Sequence, residues 1–409
     1  MGNNSEKLPL QGIKVIELAT VVAAPTVGRM LCSYGEDMIK VESAKGDDMR
    51  CAGNFERVVC EDGKNPLFTI QNSGKKFILL DIKTEEGKSV LFRLLESADV
   101  LITNIRSAAL RRSGLDYDAL KQRFPRMIYA HLSGFGPKGP DAANPGFDST
   151  GFWLRSGPLA DWQVPGSFPF VPTYAFGDMA TSSVLLSGIL MALLGRAQTG
   201  HGTKVETSLY ASGIWCNAIG VVSHQEQFGG QFDVDPMRPA DPFSQVYKCA
   251  DGKYIGIYDN EYRRDLPKLA RIFGIEELAG DPRCESLEKL SETGAIVEMV
   301  TALNKVFLTR TGGEWRSLLI ENSVSCEIMR RAREVSADPQ AIANGYVAKV
   351  EFKDGLEVMM PCPPIHFSEY RTKEYQSAGA LGSDTDSVLA SLGYSGGEIE
   401  KMRENNNIK

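Results

Sequence analysis

The residue best placed to do chemistry is Asp178, set in Tyr174-Ala-Phe-Gly-Asp-Met-Ala-Thr-Ser-Ser between a loop rich in proline and aromatic residues and a long apolar stretch. A hydrated carboxylate is a weak nucleophile. Held at a loop-to-helix junction among apolar neighbours, it loses water and can attack an activated acyl group. Aspartate is also a favoured helix N-cap, its oxygens accepting from the free amides of the first turn. Residue type and position leave both readings open. In the first, amides at the helix start after Asp178 would also be at hand to stabilise an oxyanion.

Basic residues form a second constellation. Lys75-Lys76 precedes a strand-like run, and Asn104-Ile-Arg106 and Arg111-Arg112 follow another, Val100-Leu-Ile. Cations converging at the carboxyl end of parallel strands bind phosphates through charge-assisted hydrogen bonds, although each pair alone could be solvated surface. Gly134-Phe-Gly-Pro-Lys-Gly139 matches G-x-G-x-x-G, but Pro137 and Pro140 interrupt it and no helix start follows to receive a pyrophosphate. It reads as a turn shaped for close backbone approach, whose Lys138 could meet a phosphate or stand in solvent.

Alternating elements must position these groups. Lys14-Val-Ile-Glu-Leu reads as a strand, Pro25 to Cys32 as a helix and Met38-Ile-Lys-Val as a second strand. The alternation resumes with Phe77-Ile-Leu-Leu, an amphipathic Glu85 to Ser97, Val100-Leu-Ile, a helical region through Gln122, and Met127-Ile-Tyr-Ala-His-Leu. After the helix following Asp178 it closes with Lys204-Val-Glu-Thr-Ser. Such order implies a doubly wound α/β unit around a parallel sheet. Past Trp215 the texture changes: a Gly229-Gly230 turn and a proline-containing stretch, Pro236 to Pro242, lead to a hairpin around Asp251-Gly252, then helices to about Arg333. Another strand pair flanks Asp354-Gly355. The expected division is a large unit over 1–216, completed by 346–409, and a small α+β unit with its linkers over 217–345.

Composition narrows the class. A net charge of -7 over 409 residues, with no basic run, disfavours a nucleic-acid groove or a polybasic membrane contact. The apolar stretch Ser182 to Leu194 reads as a buried helix too short to span a bilayer, and the polar start Met1-Gly-Asn-Asn-Ser lacks a secretory pattern, so a cytoplasmic protein is expected. The eight cysteines and four histidines lack ligand spacing, which argues against a metal site or a disulfide framework.

Taken together, the segments resemble the family III CoA-transferases, also called the CaiB/BaiF family. The likeness is carried by Leu10-Gln-Gly-Ile-Lys-Val-Ile-Glu-Leu-Ala with Ala23-Ala-Pro25, Ile39-Lys-Val-Glu42 with Gly46-Asp-Asp-Met-Arg50, and Lys75-Lys-Phe-Ile-Leu-Leu-Asp. It continues through Ala98-Asp-Val-Leu-Ile-Thr-Asn104, Gly114-Leu-Asp-Tyr117, Ser133-Gly-Phe-Gly, Pro145-Gly-Phe-Asp148, Gly177-Asp178 and Thr199-Gly-His-Gly-Thr-Lys-Val-Glu. The resemblance implies a Rossmann-like large domain, a smaller α+β domain and an interlocked homodimer. It also implies coenzyme A as co-substrate, with no tightly bound cofactor and no metal.

It places the nucleophile at Asp178 and the CoA contacts at Val21, Val22, Ala23, Lys75, Asn104, Arg112 and Lys138. Val22 stands where the formyl-CoA transferase branch has a catalytic glutamine and Ser43 where that branch has an arginine, which turns the expectation away from oxalate or formate. Val15-Ile-Glu-Leu-Ala, Pro145-Gly-Phe-Asp148 and the pair Phe152-Trp153 are similar to transferases that move CoA onto (R)-2-hydroxy acids such as phenyllactate or 2-hydroxyisocaproate in amino-acid fermentation. The partners implied are an acyl-CoA and a small carboxylic acid. Bile-acid, carnitine-like or dicarboxylic acceptors, a 2-methylacyl-CoA racemase and a non-catalytic CoA-binding relative are the alternatives. The aromatic and proline-rich segment Trp153 to Phe176 is the candidate acyl-pocket wall, or a loop packing its own hydrophobes.

Overall fold

The structure, a computed structural model, describes residues 7–35, 37–51, 58, 61, 64–170, 172, 174–228, 234–259 and 261–408; Gly229-Gly230 and Cys60 lie outside them. The chain forms two compact units: unit 1 is Met1–Pro158, Val171–Val222 and Ser336–Lys409, and unit 2 is Leu159–Phe170 and Ser223–Val335.

Unit 1 is built on six strands: β1 (Lys14–Leu18), β2 (Asp37–Glu42), β3 (Lys76–Leu79), β4 (Val100–Thr103), β5 (Ile128–Ser133) and β6 (Lys204–Ser208). Their order is β3-β2-β1-β4-β5-β6, and every neighbouring pair is parallel. A parallel sheet is covered on both faces, so its strands read as apolar runs, and Val100, Leu101 and Ile102 are all fully buried. The covering helices are α1 (Ala23–Tyr34), α2 (Pro66–Asn72), α3 (Glu85–Glu96), α4 (Ser107–Ser113), α5 (Phe176–Thr199) and α6 (Leu209–Cys216). Thr84 caps α3 by accepting from the Gly87 amide at 3.0 Å, and Glu85 and Glu86 suit the positive end of its dipole. From there Val90, Leu91, Leu94 and Leu95, at helical spacing, join Leu101 and Tyr129 in one core. The strand order reverses between β1 and β4, so the turns leaving these strands diverge and open a crevice at their carboxyl ends.

Helix α5 departs from the expectation of a buried helix too short to span a bilayer. It runs 24 residues and is long and apolar enough to cross a membrane by length and composition. Only one side of it is buried, through Thr181, Ser182, Leu185, Leu186 and Ile189, while Met191 and Leu194 are exposed.

Unit 2 contains the antiparallel sheet β7 (Val246–Lys248), β8 (Tyr254–Tyr258) and β9 (Ser325–Ile328), packed with α7 (Tyr262–Phe273), α8 (Ala295–Phe307) and α9 (Gly312–Glu321). Its core is aromatic: the Tyr247 and Phe307 rings stack with centroids 4.6 Å apart, and the Trp315 indole donates to Phe307 O at 2.9 Å. The chain then returns to unit 1. There β10 (Val347–Glu351) and β11 (Glu357–Pro361) form a hairpin, and α10 (Thr385–Ser391) and α11 (Gly396–Glu404) add Val388, Leu389, Ile399 and Met402 to the core. Asp384 accepts from the Phe77 amide at 2.9 Å and Thr385 Oγ1 from the Leu79 amide at 3.1 Å, which covers the free edge of β3.

Candidate active site

Asp178 lies in the first turn of α5 and is 8% exposed. It is not the cap of that helix. The capping oxygen comes from Asp148, whose Oδ1 accepts the Asp178 amide at 2.7 Å. Asp148 opens a π-helical turn, Asp148–Leu154, which delivers its carboxylate to the start of α5 from thirty residues upstream. Gly177 makes the approach possible: a Cβ there would stand 2.3 Å from Phe152 Cγ and 2.6 Å from Asp148 Oδ1. Among the described residues no group donates to the Asp178 carboxylate. Burial, and secondly the charge of Asp148, push its carboxyl up to about 7. Burial raises Asp148 as well, while the Asp178 and Gly177 amides and the Trp153 indole pull it back. One carboxylate therefore does the structural work of capping and leaves the other uncommitted.

The capping answers a further expectation from sequence. The Gly177 and Asp178 amides serve Asp148 and the Met179 amide donates to Ala175 O, so these three amides of the first turn are already engaged and are not at hand for an oxyanion. Tyr174 and Ala175, at φ 69° and 54°, lead the chain into the helix through two left-handed residues.

Asp178 lines a cleft of about 830 Å³ in unit 1, at the reversal of strand order. One wall is the turn between β1 and α1, Thr20 to Ala23; the other is Asn104 to Arg112, after β4. Asn104 bridges the two, its Oδ1 accepting from the Thr20 amide at 3.1 Å and its Nδ2 donating to Thr20 O at 2.8 Å. Val21 sits at φ 71°, a left-handed conformation that costs a β-branched residue about 1–3 kcal/mol, and its amide donates to Asp47 Oδ1 at 3.0 Å. Ser182 Oγ lies 2.7 Å from both Ala23 O and Asp178 O, tying the turn to the first turns of α5. Arg106, Arg111, Arg112 and Lys204 also line the cleft. Among the described residues the three arginines have no carboxylate within ion-pairing distance, a setting that suits an anionic ligand.

The structure brings Asp178, Val21, Val22, Ala23, Asn104 and Arg112 to this one cleft. Two expected contacts are not brought there. Lys75 is buried beneath the turn, its Nζ donating to Glu17 Oε2 at 2.7 Å, Pro25 O at 2.8 Å and Asn72 Oδ1 at 2.8 Å, so every proton of the ammonium is engaged. Burial lowers its pKa to about 8 despite Glu17. Lys138 is exposed on its loop, and its neighbour Pro137 lines the cleft instead.

His131 also lines the cleft, but it is buried with Nδ1 3.2 Å from Glu206 Oε1 and Nε2 3.0 Å from Ile105 O. Neither ring nitrogen is left for proton transfer at a substrate carbon. The expected aromatic wall divides: Phe152, Trp153 and Phe176 form a chain of ring contacts in unit 1, at 5.3 and 5.9 Å between centroids, whereas Trp162, Phe168 and Phe170 belong to unit 2. Asp148 is the functional residue that sequence reasoning did not assign, although it stands in the motif Pro145-Gly-Phe-Asp148.

Comparison with known proteins places this arrangement. The chain matches CoA-transferase family III over residues 10–385. It is 31% identical over 400 residues to an (R)-2-hydroxy-4-methylpentanoate CoA-transferase of Clostridioides difficile, covering 98% of this chain and 99% of the relative. It is 32% identical over 415 residues to a cinnamoyl-CoA:phenyllactate CoA-transferase of Clostridium sporogenes, covering 100% and 98%. Among solved structures, a CaiB/BaiF family protein from Brucella suis superposes with a TM-score of 0.80 at 30% identity, over 95% of this chain and 100% of that one.

Proposed function

Because the chain belongs to CoA-transferase family III and is a CoA-transferase, we propose that it moves CoA from an acyl-CoA to a free (R)-2-hydroxy acid with an aryl or branched side chain, through Asp178. The observation that carries this reading is the uncommitted, buried carboxylate of Asp178 in a cleft lined by arginines that have no carboxylate partner among the described residues. An Asp178 oxygen attacks the thioester carbonyl; the carbon–sulfur bond breaks, giving an acyl-aspartyl anhydride and CoA thiolate. The thiolate attacks the aspartyl carbonyl and expels the donor carboxylate, leaving an aspartyl-CoA thioester. The acceptor carboxylate attacks that thioester, and the released thiolate then takes the acceptor acyl group, freeing Asp178. No step needs a proton, and covalent exchange conserves the thioester bond energy.

In this reading Val21, Val22, Ala23, Asn104 and Arg112, which line the cleft with Asp178, bind CoA. The 2-hydroxy acid specificity follows the two clostridial relatives. A homodimer belongs to the same proposal, supported by the apolar side chains that α5 and α6 leave exposed, among them Met191, Leu194 and Trp215, with a second copy as the cover. Mass-spectrometric exchange between a panel of acyl-CoAs and free acids tests the reading with the native protein and Asp178→Ala. Exchange onto 2-hydroxy acids that vanishes in the variant is expected. Retained exchange removes Asp178 from the mechanism, and preference for dicarboxylates, carnitine-like acids or bile acids overturns the acceptor assignment.

A further inference from the structure

Beneath the cleft, a cluster of buried charges touches no expected ligand. Lys40 Nζ lies 2.8 Å from Glu17 Oε1 and 2.9 Å from Asp47 Oδ2, Lys75 Nζ lies 2.7 Å from Glu17 Oε2, and all four side chains are 0% exposed. Beside them Glu42 Oε1 accepts the Asp47 amide at 2.9 Å and pairs with Arg50 Nε at 3.0 Å. The charges cancel, two cations against two anions in the centre and one against one at the side. Apolar residues of equal volume often fill such a space at no greater cost in stability, so stability alone does not account for the cluster.

Its remaining hydrogen bonds supply one. Lys40 Nζ donates to Ala19 O at 2.6 Å, Asp47 Oδ1 accepts from the Val21 amide at 3.0 Å, and Lys75 Nζ donates to Pro25 O at 2.8 Å. Three members of one ion cluster thus grip the cleft wall at the left-handed Val21 and the chain on either side of it, at Ala19 and Pro25. Gly28 belongs to the same device, since a Cβ on that residue of α1 would stand 2.1 Å from Glu17 Oε2 and 2.4 Å from Met38 Cε.

We propose that Asp47 is a positioning residue for CoA: backed by Lys40, its carboxylate holds the Val21 peptide in a strained shape before the ligand arrives. The proposal rests on the assignment of the Thr20 to Ala23 turn to CoA. Binding then meets a finished wall instead of ordering one, which lowers the conformational cost of association. Lys75 acts on the ligand in the same indirect way, through Pro25 O.

The test is titration calorimetry with CoA on the full-length native protein, Asp47→Ala and Asp47→Asn, alongside their thermal midpoints. Asp47→Ala, which loses the acceptor, weakens binding by about tenfold to a hundredfold. Asp47→Asn keeps an oxygen facing the Val21 amide and recovers most of that affinity, although both variants lose the charge facing Lys40 and melt earlier together. Equal dissociation constants for all three proteins, or affinities that follow the melting points instead of the acceptor, overturn the proposal. If Asp47→Ala does not fold, hydrogen exchange on the native protein decides. Protection of the Val21 amide before CoA is added supports a preformed turn, and protection gained only with CoA overturns it. A native protein that does not bind CoA fails at the first titration and sinks the functional reading on which the proposal stands, and the proposal with it.

Discussion

Under the Thr20 to Ala23 turn, four wholly buried side chains carry charge; in unit 2 the equally buried centre is Tyr247, Phe273, Phe307 and Trp315. Both regions exclude water, but by different means. Apolar burial is nearly non-directional, so neighbours can shift by tenths of an ångström and keep most of their contact. An ion cluster is directional, each donor aimed at one acceptor, and a misplaced member strands a charge. The first kind of interior supplies stability, and the second supplies a shape. The shape lies at the wall of the cleft that holds Asp178.

Replacing Asp178 by Asn sets chemistry against stability most sharply. Exchange activity falls by about a thousandfold or more, measured by CoA-exchange mass spectrometry. Folding stability moves the other way. The folded carboxyl is held at about 7, above its unfolded value, so its contribution is fully present at low pH and is lost as pH rises towards and through 7. At pH 8 the Asn variant is the more stable by about 3–4 kcal/mol in denaturant unfolding, and the gap closes towards pH 4.

Lys40→Met and Trp315→Ala each lower stability by about 3–5 kcal/mol, the first by stranding Glu17 and Asp47, the second by opening a cavity. They separate in the CoA titration, where Lys40→Met loses affinity and Trp315→Ala retains it. Equal behaviour there breaks the comparison. Next in size is pH: below about 7 exchange drops roughly tenfold per unit as Asp178 takes up a proton, read from kcat/KM at saturating acceptor. Smallest are the conservative changes. Leu303→Met in the core of unit 2 costs less than about 1.5 kcal/mol, and Thr84→Ala at the α3 cap about 1 kcal/mol, both by thermal melting and both without change in CoA affinity.

The strands of unit 1 were legible because parallel strands covered on both faces are written as apolar runs, as in Val100-Leu-Ile. Strand β9 was not, since Ser325-Cys-Glu-Ile is short and half polar and takes its pairing from β8, far away in the chain. The motif around Asp178 left a nucleophile and a helix cap both open, and pattern alone could not exclude the cap. Only the return of Asp148 through a π-turn, which has no repeating sequence signature, excludes it. Lys75 shows the same limit. Of two adjacent lysines, Lys76 faces solvent and Lys75 is buried, and whether the inward one meets a ligand or a buried glutamate depends on Glu17, 58 residues away.

The covering of β3 by Asp384 and Thr385 has a consequence for synthesis. Unit 1 is written in pieces, and the pieces that finish it come after the whole of unit 2. At roughly 5–20 residues per second, a ribosome holds the early part of unit 1 with the β3 edge bare for on the order of fifteen to sixty seconds. All of unit 2 is synthesised within that interval. A nascent chain in this state offers an unpaired strand to chaperones or to its neighbours on a polysome, and a message truncated late in the reading frame yields a protein that never leaves it.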